Sequence, residues 1–356
     1  SSTNDEGSFN GYASSNNSRS YGARGFCNSN QQRRVIFLQH CLFCSSADFV
    51  LNEPDQAIAF ILSDLGWDVW LGNYRGNRYS RSHLNLDPDD DLDYWNFSWD
   101  MMGRYDLPAM IQFVMHTTQV EQIDYIGHSM GTMGFWAMMH FHPHLSSWIR
   151  IMVGLAPVSY ANHMRGTLTM SSLIYALDAP LTKVGIGEFL PSGMWTANLA
   201  TKLCRPDSPA RKFCDELLES FIGQGRYVDP EFLPVILAHN PAGTSLHTVS
   251  HFGQLIQSRD FEAYDHGRRR NLVEYGTTKP PKFDFSRVML PVALYSAMND
   301  PISAAKDVDR LARELPWLVV NHRVELDYNH MDFLWAENAN TIVFSHVIDT
   351  INGFTC

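Results

Sequence analysis

The sequence predicts an α/β fold with a mostly parallel sheet, and three observations carry that expectation. Apolar runs of strand length alternate with stretches of helical periodicity as far as Leu155. One junction between them is Gly127-His128-Ser129-Met130-Gly131, a Gly-x-Ser-x-Gly set between a β-prone run and a helical pattern. The alternation stops after Pro157 and resumes near the C-terminus, as expected of one sheet carrying an insertion.

Residues 1–33 are rich in Ser, Asn, Gly and Arg with few aliphatic side chains, the composition of a poorly ordered tail. Val35-Ile36-Phe37-Leu38 is then continuously apolar, as a strand covered on both faces must be. His40 to Ser46 form the loop off its C-terminal end. Between Asp55 and Leu65, Ala57, Ile58, Ile61, Leu62 and Leu65 share one helical face, and Gly66 is the stop. Asp68 to Leu71 is the next strand. A long polar connection, 72–100, leads to a helix in which Leu107, Met110, Ile111, Val114 and Met115 recur at helical spacing, with Pro108 in the first turn. The strand 123–126, the Gly-x-Ser-x-Gly turn, a helix from Thr132 and the strand 149–155 follow.

From 159 to 267 there are only short amphipathic pieces, 171–177, 194–203, 211–222 and 231–238, separated by Pro and Gly. Inserted after a strand, they are expected to form a mostly helical cap over the strands' C-terminal edge, where ligands bind in such sheets. A second independent domain is the alternative. The sheet resumes with a strand over 288–296, a helix over 304–315 and a strand over 322–326. A last helix carries Ile342, Val343, Val347, Ile348 and Ile351. The core is therefore 34–158 with 268–356, and the cap is 159–267.

The 356 residues suffice for a full core, and 45% hydrophobic with 18% charged residues describes a globular chain. A net charge of −11 argues against nucleic acid as a partner, and Arg268-Arg269-Arg270 is read as a solvated turn. No apolar window reaches the length of a membrane-spanning helix. The start at Ser1, without Met or an apolar leader, fits a processed or truncated product. Six cysteines are few for a disulfide scaffold, although Cys204 and Cys214 lie close enough in sequence to bridge in an oxidising compartment. Asn16-Asn17-Ser18 and Asn96-Phe97-Ser98 are sequons that permit glycosylation.

The Gly-x-Ser-x-Gly turn has a physical reading. A serine projected from a tight strand-to-helix turn needs small neighbours, and Gly127 and Gly131 provide them. The same turn puts the Met130 N–H at a helix N-terminus, where an oxyanion would form during acyl transfer. Ser129 then needs a base, and the base an orienting acid, in the chain order Ser, acid, His. The loop after 288–296 offers Asp300, which could instead start a turn before Pro301 or cap the following helix. The loop after 322–326 offers His330, with His322 as its rival. Asp327 and Asp332 stand too near His330 to be the acid. His128 is expected to pack beneath Ser129. A second oxyanion donor belongs on the loop after the first strand, where the Leu42 N–H is the candidate.

Together these residues resemble the acid lipase family of α/β-hydrolases, which includes gastric, lysosomal acid and insect lipases. The resemblance covers about 34–350 and rests on LQHCLFCSS (38–46), AFILSDLGWDVWLGNYRGNRYS (59–80), WNFSW (95–99), YDLPAMIQFV (105–114), GHSMGT (127–132), LAPV (155–158), HNPAGTS (239–245) and YNHMDFLWA (328–336). It implies an α/β-hydrolase fold, a catalytic Ser129, Asp300 and His330, oxyanion donors at Leu42 and Met130, and a cap disulfide between Cys204 and Cys214. It also implies water-insoluble acyl esters as substrates, such as triacylglycerols or cholesteryl esters at a lipid–water interface. Neither metal nor cofactor is implied, and the expected compartment is extracellular or lysosomal.

The chain departs from that family where relatives usually carry Gly and this sequence has Cys41 and Cys44. A left-handed backbone at position 41 would cost a Cβ about 1 kcal/mol or more and would tilt the Leu42 N–H. Cys41 and Cys44 are also candidates for oxidation, though two ligands make a poor metal site. Met101 replaces a usual acidic residue and Met130 a usual Gln. The expected function is an ester hydrolase acting through an acyl-enzyme. The alternatives are a catalytically impaired lipid-binding relative and a soluble short-chain carboxylesterase.

Overall fold

Strand side chains alternate between faces, so a strand buried on both sides is apolar throughout. In β1 (Val35–Gln39), Phe37 joins one core layer while Ile36 and Leu38 join the other. The computed structural model describes residues 34–191, 203–205 and 207–354. The stretch 1–33, including Asn16, and most of the helix expected over 194–203 lie outside them.

β2 (Asp68–Gly72), β3 (Ile123–His128), β4 (Ile149–Leu155), β7 (Val292–Ala297) and β8 (Leu318–Val324) join β1 in one parallel sheet, in the order β2-β1-β3-β4-β7-β8. Two short strands, β5 (Glu188–Phe189) and β6 (Thr244–Ser245), pair separately and antiparallel. The fold is the α/β-hydrolase fold. The chain runs from β1 outward to β2 and then back across to β3, so the strand order reverses between β1 and β3. Ligands bind beyond the strands' C-terminal ends at such a reversal.

The helices that accompany the sheet and its insertion include α1 (Ile58–Asp64), α2 (Leu107–Thr118), α3 (Met130–Phe141), α4 (Ser171–Lys183), α5 (Arg211–Ile222), α6 (Leu246–Ser258), α7 (Ala305–Glu314) and α8 (Ser345–Asn352). Ile111 and Val114 of α2 and Met133 and Trp136 of α3 fill one core layer. Ile58 and Leu62 of α1 and Val347 and Ile351 of α8 fill the other.

Several boundaries differ from the sequence reading for identifiable reasons. β7 begins at Val292, not at 288, because Pro291 has no N–H to donate. β8 begins at Leu318, before the expected 322; its residues are half-exposed or exposed until Val324, so an edge strand lacks the apolar run. Arg268 to Arg270 are solvated, yet they form the first turn of a helix, Arg268–Glu274. The largest omission is α6. Its apolar residues Leu246, Val249, Phe252 and Leu255 recur at helical spacing, but Thr248, Ser250, His251, Gly253 and Gln254 are buried beside them and dilute the apolar stripe. A Cβ at Gly253 would stand 2.2 Å from the Ser171 carbonyl oxygen, so glycine is what lets α6 approach α4.

Candidate active site

Ser129 sits between β3 and α3 with φ 54° and ψ −116°, a conformation in which an L-residue is strained. The close quarters around it explain both glycines. A Cβ on Gly127 would lie 2.9 Å from the Gly131 carbonyl group, and one on Gly131 would lie 2.3 Å from the carbonyl oxygen of Gln39 in β1. The turn is tied down by Ser129 N–H to Leu155 O at 3.0 Å and by the Thr132 hydroxyl to Ser129 O at 2.7 Å.

Ser129 Oγ is 2.7 Å from His330 Nε2, and His330 Nδ1 is 2.8 and 3.0 Å from the two oxygens of Asp300. Three loops beyond the C-terminal ends of β3, β7 and β8 thus bring Ser129, Asp300 and His330 into one hydrogen-bonded chain, all buried. A neutral His330 donates from Nδ1 to Asp300 and leaves Nε2 free to accept the serine proton. Asp300 also accepts from the N–H groups of Ile302 and Ser303, each at 2.8 Å. Turn residue and histidine partner are therefore the same carboxylate. His322 instead stacks on His346 with ring centroids 5.0 Å apart. Asp327 is exposed beside Arg226, and Asp332 accepts from the Asn329 N–H at 2.7 Å.

The His330 loop is braced from below. His128 Nε2 donates to the His330 carbonyl at 2.9 Å, and the His330 N–H donates to Ile222 O at 3.0 Å. Burial pushes the His128 imidazole well below its usual range, with the His330 ring as a second cause. His128 is therefore neutral. Met331 and Asp332 N–H groups both donate to Asn329 Oδ1.

After β1 the chain turns through Cys41-Leu42-Phe43-Cys44, closed by Cys44 N–H to Cys41 O at 3.3 Å. The left-handed residue is Phe43, φ 63°, at the third position of a type II-like turn. Cys41 is not left-handed, which corrects the expected strain at position 41. The cost of about 1 kcal/mol falls on Phe43 instead. Among the described residues the Leu42 and Met130 amides donate to no protein group. His40 supports this turn: its Nδ1 donates to Cys41 O at 2.7 Å while Nε2 accepts from Tyr74 N–H and from Asn77. Burial pulls His40 down to about 4, so it is neutral as that pattern requires. Sequence reasoning assigned no role to His40, Asn77 or Asn329. Their nearness to the predicted loops was the available signal.

With the geometry in view, comparison places the chain. The model of the α/β hydrolase fold family matches residues 34–337. The chain belongs to that family. Lipase lipl-1 of Caenorhabditis elegans is 34% identical over 94% of this chain and 84% of its own length. Human gastric triacylglycerol lipase is 34% identical over 96% and 85%. A thermophilic esterase from Thermogutta terrifontis shares the fold at TM-score 0.52, with 12% identity, over 91% of this chain and 92% of its own.

In this α/β hydrolase a cavity of about 60 Å³ lies over Ser129, walled by Leu42, Leu168, Phe252 and His330. Phe43, Phe221, Ile222 and Met331 line both that cavity and a larger one of about 360 Å³. Among the described residues, and apart from Arg78 and Asn240, the larger cavity is walled by apolar or cysteine side chains, including Leu217, Ile236 and Trp335. Cys204 and Cys214 form a disulfide at its rim, with Cα atoms 5.7 Å apart. Cys41 and Cys44 are likewise disulfide-bonded. Asn96, half-buried, lines a separate cleft of about 480 Å³, and Ser98 of its sequon is buried and donates to His251 Nδ1 at 2.7 Å. No helix among the described residues is long and apolar enough to cross a membrane.

Proposed function

We propose that the protein is a serine ester hydrolase of the lipase type, cleaving water-insoluble acyl esters such as triacylglycerols or cholesteryl esters through an acyl-enzyme on Ser129. The observation that carries this reading is the Ser129–His330–Asp300 chain, with His330 Nε2 at 2.7 Å from Ser129 Oγ. His330 takes the serine proton as Oγ attacks the ester carbonyl, and Asp300 holds the ring and stabilises the imidazolium. The Leu42 and Met130 amides hold the oxyanion, stabilising charge where it develops. His330 returns the proton to the leaving alkoxide, and water then repeats the sequence on the acyl-enzyme.

The acyl chain has a fitting place. The 360 Å³ apolar cavity shares the walls Leu42, Phe43, Phe221, Ile222 and Met331 with the space over Ser129, and removing an acyl chain from water yields about 0.8 kcal/mol per buried methylene. We read 159–267 as the cap of this site, since α5 contributes Phe221 and Ile222 to both cavities. Named relatives that are gastric triacylglycerol lipases support the ester class; a secreted or lysosomal location belongs to the same proposal. The impaired-relative alternative supposed an oxyanion loop spoiled by Cys41; that Cys41 is not left-handed favours the hydrolase reading over it.

The test is fatty-acid release from emulsified triolein and from p-nitrophenyl butyrate, with wild type beside Ser129→Ala. Release from triolein that vanishes in Ser129→Ala supports the lipase. Release from butyrate alone leaves a short-chain esterase. No serine-dependent release from well-folded protein sinks the reading.

A further inference from the structure

The turn that carries Leu42 is fastened at its ends and loose at its centre. Cys41 O accepts from His40 Nδ1 at 2.7 Å, and Phe43 O accepts from Ala242 N–H at 2.6 Å. The Leu42 amide itself donates to nothing among the described residues, and its neighbour Phe43 holds a left-handed φ of 63° without being glycine. One covalent feature crosses this turn. Cys41 and Cys44 are disulfide-bonded, with Cα atoms 5.1 Å apart and a sequence separation of 3. Both are buried, Cys41 at the cavity over Ser129 and Cys44 at the larger apolar cavity. Cys41 Sγ also lies 3.9 Å from Met331 Sδ, next to His330.

We propose that the Cys41–Cys44 disulfide is a positioning element of the oxyanion hole, a staple that holds the Leu42 amide towards Ser129. The inference rests on the ester-hydrolase reading for its catalytic consequence. Position decides between local and global roles. The entropy removed from the unfolded chain grows with the length of the closed loop, so a bridge over so few residues adds least to overall stability. What it constrains is the turn itself, where a Cβ-bearing Phe43 must stay left-handed and where the peptide N–H of Leu42 could otherwise swing away. Cys41 and Cys44 are positioning residues, since neither sulfur touches the reacting atoms. A dithiol reagent would release the staple: the S–S bond breaks, two electrons pass to the protein, each sulfur takes a proton, and the reagent closes to its own cyclic disulfide.

The tryptic peptide 35–75 contains these two cysteines and no other, which makes the bond directly readable. Alkylation of the unreduced full chain, followed by digestion, should leave this peptide unmodified and lighter by two hydrogens. In Cys41→Ala/Cys44→Ala, kcat on p-nitrophenyl butyrate should fall by about 10- to 100-fold with KM little changed, as expected for a misdirected oxyanion donor. The inhibition constant of a trifluoromethyl ketone, whose adduct presents an oxyanion, should rise by the same factor. To separate the second bridge, the response to dithiothreitol is read in Cys204→Ala/Cys214→Ala. There turnover should drop with the reductant and return with oxidised glutathione. Two alkylated thiols in active protein, or a double variant with unaltered kcat and inhibition constant, would overturn the proposal. If wild type shows no Ser129-dependent hydrolysis, the ester-hydrolase reading falls instead. The staple is then judged by amide exchange over 40–45, which must quicken in the double variant and overturns the proposal if it does not.

Discussion

His128 Nε2 donates to the backbone carbonyl of His330 at 2.9 Å, so the residue before Ser129 holds the loop that carries His330. The bond fixes the His128 tautomer with its proton on Nε2 and leaves Nδ1 buried without a partner among the described residues. A charged His128 would place a cation against His330, and burial prevents it.

Replacing His128 with Phe keeps a ring and strands the His330 carbonyl. A buried acceptor left unpaired costs about 1–3 kcal/mol, and part of that cost reaches the Ser129–His330 alignment. We expect kcat on a soluble ester to fall about 10-fold in His128→Phe with KM unchanged. His128→Gln, which retains a donor, should keep most of the activity. Wild-type kcat in the Phe variant would show that the brace is dispensable.

Asp300→Asn tests the proposed orienting role of Asp300. The amide can still accept from the Ile302 and Ser303 N–H groups at the places Asp300 fills now, so the turn should survive. What changes is the partner of His330 Nδ1, which would favour the other tautomer and put the proton on Nε2, facing Ser129. Turnover should drop by about 1,000-fold or more, with the circular dichroism spectrum and melting temperature close to wild type. An active, well-folded variant would mean that Asp300 serves the turn alone.

Much of this site is legible in the amino-acid sequence because its residues obey local rules. Gly127 and Gly131 announce a turn too tight for a Cβ, and chain order then points to Asp300 and His330. β1 and β4 are legible because burial on both faces forces continuous apolar runs. α6 is less so: Leu246, Val249, Phe252 and Leu255 recur at helical spacing, but the buried Thr, Ser, His, Gly and Gln among them mask the stripe, and some of these find partners distant in sequence. Ser98, for example, lies 153 positions from His251. The left-handed residue of the turn after β1 is misplaced for a similar reason. Sequence suggests where glycine is customary, whereas the carbonyl that Phe43 gives to Ala242 is visible only in three dimensions.

The larger cavity predicts a chain-length effect. Leu217 on α5 lines it and is half-exposed, so Leu217→Trp can fill the space without disturbing the buried core. Long acyl chains should lose the surface they bury there, while a butyryl chain, held over Ser129, should not notice. We expect kcat/KM for a palmitoyl ester to fall about 10-fold, corresponding to one or two methylenes displaced from the cavity. The butyrate value should stay within a factor of about two. Equal losses on both esters would place the acyl chain elsewhere.

Asp48 supplies a prediction about stability and pH. Its carboxylate is buried and accepts from Ser45 N–H at 2.8 Å, Asn240 at 2.8 Å and Trp335 Nε1 at 3.3 Å, which ties the loop after β1 to two other segments. Burial raises it from 3.8 to about 6 despite those donors. A carboxyl raised on folding favours the protonated protein, so its contribution is complete below the unfolded value and is lost as pH climbs through about 6. That shift corresponds to ~3 kcal/mol at neutral pH. His40 and His251, both lowered to about 4 by burial, work in the opposite sense: they stabilise above their unfolded value and weaken the fold as pH falls towards 4. The two trends oppose one another in wild type, so the difference between variants is the informative quantity. Asp48→Asn removes only the carboxyl, and its melting temperature should therefore gain on that of wild type as pH is raised from 4 to 7. A difference that stays constant across that range would mean that Asp48 does not change its charge there.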